Sequence, residues 1–147
     1  MKMESDVNGI DRIVETFEFF DDWDARYEYL IELGEELPPM PDELKTDENW
    51  VKPCMSTVHV AAQTDPEDSR LICFVGDCDT AIIKGVLALL IDLLSYRPLE
   101  QIQNMDVDSL FKRLQLEEHL SPNRHVGIYA IVDKMVDRAT ALSERHH

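Results

Sequence analysis

The run Ala81-Ile82-Ile83-Lys84-Gly85-Val86-Leu87-Ala88-Leu89-Leu90-Ile91-Asp92-Leu93-Leu94 constrains the fold more than any other part of this chain. Its apolar positions go most of the way round a helical period, and such a helix must be covered by neighbours on nearly every side. It is broken by Lys84 and Asp92, and it falls short of the roughly 18 apolar residues that a membrane span needs. A central, buried helix over 80–95 is the expectation, with Asp79 before it as the N-cap.

The flanking sequence supplies the cover. Ile10, Ile13, Val14 and Phe17 lie at helical spacing. Asp21 or Asp22 caps a second helix whose stripe is Trp23, Tyr27, Leu30, Ile31 and Leu33, and Pro38-Pro39-Met40-Pro41 stops it. Residues 57–62 and 71–75 read as strands, with the turn formers of 64–69 between them, which predicts a hairpin. A third strand near 50–52 is left open. Short helices are expected at 99–103 and 107–114. Ser121 caps a last helix with Pro122 at its first position and a stripe of Val126, Tyr129, Ala130, Asp133, Val136 and Ala139. The fold class is α+β: a small antiparallel sheet packed against several helices. One domain is expected over 9–143, with mobile ends at 1–8 and 144–147, and His146-His147 reads as a tag remnant.

Cys54 stands on the loop before the first strand, in Val51-Lys52-Pro53-Cys54-Met55-Ser56-Thr57-Val58. A cysteine most often packs as a small hydrophobe. Here Pro53 suits a loop, and Lys52 is placed to favour the thiolate, the form that reacts.

Four segments resemble the SufE family of sulfur acceptors, partners of PLP-dependent cysteine desulfurases. They are Trp23-Asp24-Ala25-Arg26-Tyr27-Glu28-Tyr29-Leu30-Ile31-Glu32-Leu33-Gly34; the Cys54 loop just quoted; Gly76-Asp77-Cys78-Asp79-Thr80-Ala81-Ile82-Ile83-Lys84-Gly85; and Leu116-Glu117-Glu118-His119-Leu120-Ser121-Pro122-Asn123-Arg124. Together they run in order over nearly the whole chain. The resemblance implies a SufE/IscU-like fold. It also implies that Cys54 accepts sulfane sulfur as a transient persulfide, stimulates the desulfurase, and hands the sulfur on to a cluster scaffold or another acceptor for iron–sulfur assembly. No cofactor would reside on the chain, since the PLP belongs to the partner enzyme. Ser56, Asp79 and Arg124 would support the acceptor loop, joined by His59 and Cys78. The chain departs from the family pattern at Pro53, Met55 and His59, where Gly, Gln and Trp are usual.

Each residue also has a plainer reading. Asp79 is first a helix cap, Arg124 a helix-end ion pair, and Cys78 a small residue in a turn or a helix-start thiol of lowered pKa. Cys73 reads as buried in its strand. Cys54, Cys73, Cys78, His59, His119 and His125 could ligate metal, so a metal- or cluster-binding scaffold is one alternative, although the close ligand pairs of structural zinc sites are missing. A docking adaptor without sulfur transfer is the other. Three cysteines and no apolar leader point to a reducing, cytoplasmic setting. The formal charge of −16 argues against nucleic-acid and membrane partners, which are bound through Lys and Arg.

Overall fold

In a computed structural model, which describes residues 9–53 and 56–145, the chain forms α1 (Ile10–Glu18), α2 (Trp23–Glu35), a 3₁₀ turn (Asp42–Leu44), β1 (Val58–Thr64) and β2 (Ile72–Cys78). Then follow α3 (Ala81–Leu94), α4 (Leu99–Asn104), α5 (Val107–Arg113), α6 (Leu116–His119) and α7 (Pro122–Arg145). Of the ends expected to be mobile, 1–8 and 146–147 lie outside the described residues, whereas 144 and 145 continue α7.

The apolar run becomes α3 and sits at the centre, with Ile83, Val86, Leu87, Leu90, Leu93 and Leu94 at most 1% exposed. α2 crosses it backbone to backbone: a methyl on Gly85 would overlap the Leu30 carbonyl, and one on Gly34 would come within 3.0 Å of the Gly85 nitrogen. On another side β2 packs on α3, where Gly76 leaves room for the tips of Leu87 and Ile91. α7 lies against β1.

The strands pair antiparallel in the register Val58↔Cys78 to Thr64↔Ile72. Val58, Val60, Ile72 and Phe74 face the core. The third strand proves to be a single bridge, Trp50↔His59, because Val51 N–H donates to Val58 O (2.8 Å) and Val60 N–H to Asn49 O (2.9 Å) before the chain turns away. At the other edge, Tyr96 N–H donates to Ile72 O at 2.7 Å.

Asp22 caps α2, accepting from Ala25 N–H at 2.8 Å, and Ile10, Ile13, Val14 and Phe17 are all buried as their spacing predicts. The last helix differs from its expected stripe. Ile128, Ile131, Met135 and Ala139 face the core, while Val126 is 59% exposed and Asp133 is exposed. Ile128 and Ile131 fix the buried face, and the expected stripe, begun at Val126, is rotated away from it.

Candidate functional site

Cys54 and Met55 lie outside the described residues; the residues on both sides of them are described. On the entry side Val51 is fully buried, and the Asn49 side chain donates to Leu44 O at 2.8 Å. The Lys52 ammonium pairs with Asp47 at 3.2 Å and lies 5.6 Å from the Trp50 ring centroid. On the exit side Ser56 is buried and its Oγ is 2.6 Å from Thr80 Oγ1. Thr57 N–H donates to Asp79 Oδ1 at 3.0 Å, and Asp79 N–H donates to Thr57 O at 3.2 Å. Thr80 Oγ1 also donates to Asp79 Oδ1, at 3.2 Å.

Two sequence readings are corrected here. Asp79 does not cap α3; Thr80 occupies the N-cap position, and the Asp79 carboxylate is turned to the loop instead. Cys78 is no helix-start thiol. It ends β2, because the ladder runs through Gly76-Asp77 rather than turning there. Its side chain is 6% exposed, and its Sγ accepts from Thr80 N–H (3.4 Å) and donates to Thr80 O (3.6 Å).

The structure thus brings Ser56, Cys78 and Asp79 together around Thr80. His59 stands apart on the outer face of the hairpin, opposite Asp77 in register. There Asp77 bridges Lys45 (3.3 Å) and Lys84 (3.4 Å). Burial alone would raise the Asp77 pKa, but the two lysines and the Cys78 N–H outweigh it and hold the carboxyl below its ordinary value.

Arg124 belongs to a recess of about 630 Å³ beside Ser56, lined also by Tyr27, Thr80, Ile82, His119, Leu120, Ser121 and Asn123. Its floor comes from long-range contacts. Tyr27 Oη donates to His119 O at 2.7 Å, and the His119 ring stacks on Trp23 at 3.8 Å. Ser121 Oγ accepts from Arg124 N–H at 3.3 Å, so Arg124 sits in the first turn of α7. A cation and a helix N-terminus make this recess favourable to negative charge in a strongly acidic chain. Sequence reasoning missed Tyr27, Thr80 and His119 as parts of one site. The shared stripe of Trp23 and Tyr27 was the available signal, and nothing local pointed to His119.

The remaining ligand candidates are scattered. Cys73 is half-buried at the far end of β2, in a largely apolar pocket of about 820 Å³ with Tyr96; it is less buried than its strand suggested. Burial, then Asp65, pushes its thiol pKa up. His125 packs edge-on against Tyr129 at 5.1 Å. Among the described residues no group of three or more His, Cys, Asp or Glu side chains is placed to hold a metal ion, and no helix is long and apolar enough to cross a membrane.

The model of the SufE domain, described as an Fe-S metabolism associated domain, matches residues 11–139. The chain belongs to the SufE family. Among its relatives are uncharacterized SufE-like proteins of Rhizobium etli and Rhizobium meliloti. The first is 36% identical over 133 residues, 89% of each chain. The second is 35% identical over 135 residues, 90% of this chain and 96% of the relative. The SufE fold is also seen against a solved structure: the solution structure of a hypothetical protein from Thermus thermophilus superposes with a TM-score of 0.74. It shares 18% identity, over 92% of this chain and 96% of that one. Membership of SufE associates the chain with Fe–S metabolism.

Proposed function

We propose that this SufE-family chain is a sulfur acceptor with Cys54 as the accepting residue. The Cys54 thiolate attacks the terminal sulfur of a persulfide on a cysteine desulfurase. A new S–S bond forms on Cys54, the donor's S–S bond breaks, and the donor cysteine leaves as a thiolate. No oxidant or reductant is consumed, and the rate follows thiolate fraction and access. The persulfide then passes to a cluster scaffold or another acceptor. Emptying the donor stimulates the desulfurase, which carries its own PLP, and the setting is a reducing cytoplasm.

The observation that supports this reading best is the pinning of both flanks of Cys54. Val51 is buried and hydrogen-bonded on one side; Ser56 and Thr57 are bonded to Thr80 and Asp79 on the other. A relay cysteine needs such a fixed base and little further machinery. Asp79 and Ser56 hold the exit of the loop, with Cys78 packed beneath them. Arg124 offers a charge in the adjoining recess, suited to an anionic persulfide or a carboxylate of the partner. His59 has the weakest claim, since it faces the outer side of the sheet.

The test is sulfide release and alanine formation by candidate desulfurases with and without the chain. Stimulation by the unaltered chain and none by Cys54→Ser is the expected result. Equal stimulation by both would remove Cys54 from the mechanism and leave a docking adaptor.

A further inference from the structure

Phe19 is 80% exposed, far more than its neighbours Phe17 (1%) and the half-buried Phe20. It stands at the corner between α1 and α2, edge-on to Phe20 at 5.6 Å. Nothing in the fold uses the ring, and a polar residue would serve the corner as well. An exposed aromatic therefore invites a partner, provided something else says which.

The surrounding charge says which. Glu15 and Glu18 lead along the exposed side of α1 to Phe19, and Asp21, Asp24, Glu28 and Glu32 lead away from it along the exposed side of α2. Among the described residues none of these six carboxylates is in a salt bridge. The cations of this corner are engaged: Arg12 pairs with Asp92, and Arg26 Nε donates to Phe17 O and Phe20 O. A second copy of the chain, a nucleic acid or an anionic membrane would each bring like charge against this surface. A protein surface rich in Lys and Arg around a slot for one aromatic ring is the complement.

The corner also adjoins the acceptor site. Trp23, the first residue of α2, stacks on His119, and His119 and Ser56 line the same recess. A body seated on Phe19 would lie beside the opening through which Cys54 is approached. We propose that the α1–α2 corner, with Phe19 as anchor and its carboxylates as steering charges, docks a basic, apolar-slotted surface of the cysteine desulfurase. This rests on the sulfur-acceptor reading and deepens it by naming the partner's surface.

The experiment measures binding of the full chain to the desulfurase by interferometry at several salt concentrations, together with sulfide release. Phe19→Ser should weaken Kd about tenfold or more through faster dissociation. The pair Glu28→Lys/Glu32→Lys should slow association and flatten its salt dependence. Glu67→Lys, in the hairpin turn at the other end of the sheet, is the control for net charge and should leave binding unchanged. All of these positions are exposed, so thermal midpoints should stay near that of the parent.

If Phe19→Ser and the double reversal bind and stimulate like the parent, the docking proposal falls while the acceptor reading stands. If the parent itself neither binds nor stimulates any candidate desulfurase, both fall. If sedimentation shows that Phe19→Ser instead turns a dimer into a monomer, the occupant is a second copy and the proposal is wrong.

Discussion

Asp79 and Thr57 hold each other twice: the Thr57 amide donates to the Asp79 carboxylate at 3.0 Å, and the Asp79 amide donates to the Thr57 carbonyl at 3.2 Å. This pair joins the residue before β1 to the residue after β2, and so fixes where the Cys54 loop ends.

Asp79→Ala removes the side-chain half of that link. Thr57 is exposed, so water can replace the lost acceptor, and the cost to stability should be about 0.5–1.5 kcal/mol. The more specific effect concerns Cys54, whose alkylation by iodoacetamide should speed up relative to the parent. Asp79→Asn keeps an oxygen acceptor and should behave nearly as the parent. Mass spectrometry of the labelled peptide reads both variants, and equal labelling of parent and Asp79→Ala would show that the link does not control access.

Gly85→Ala should be the most damaging single methyl in the chain. The added carbon meets the Leu30 backbone, which cannot rotate aside as a side chain could. Overpacking costs of about 1–3 kcal/mol, or more against rigid backbone, are expected. Gly34→Ala meets its neighbours at 3.0–3.1 Å and should cost less. Urea midpoints of the two variants test the order.

Cys73→Ser should change stability by less than about 1 kcal/mol, because the side chain is half-buried beside Tyr96 and its pocket is open to water. The raised pKa of the thiol sets a second expectation. Only the thiolate reacts, so in a Cys54→Ser background the alkylation rate at Cys73 should rise at higher pH than for free cysteine.

The Asp77 carboxyl is held below its unfolded pKa of about 4, so its ion pairs stabilise the fold above that pH. The contribution disappears as pH falls through the lower, folded value. Asp77→Asn should therefore lower the thermal midpoint by a degree or two (roughly) at pH 7, given the exposure of the pairs. The two midpoints should converge on acidification toward about pH 3. A constant gap down to that pH would assign the effect to packing.

Much of the fold was written locally. The unbroken apolar run made α3, the spacing of Ile10, Ile13, Val14 and Phe17 made the buried side of α1, and Asp22 and Ser121 began their helices where expected. What misled were residues whose usual meaning was overridden by distant partners. Gly76-Asp77 looks like a turn, yet the pairing with Val60 and His59 carries β2 through it. Asp79 looks like a cap, but the Thr57 amide, 22 positions earlier, takes its carboxylate. The recess was illegible for the same reason. Tyr27 and His119 meet across 92 positions, and no local pattern announces such a contact.

The crossing at Gly34 and Gly85 has a bearing on the recess. Tyr27 is carried by α2, while Thr80 and Ile82 belong to the start of α3, so opposite walls of the opening hang from the two helices that touch there. With no side chain between them, the helices have no compressible layer to take up a shift. The bore of the recess is gauged by main chain alone. A bulge introduced at Gly85 would therefore be felt as a change of aperture beside Ser56, well away from the residue that was altered.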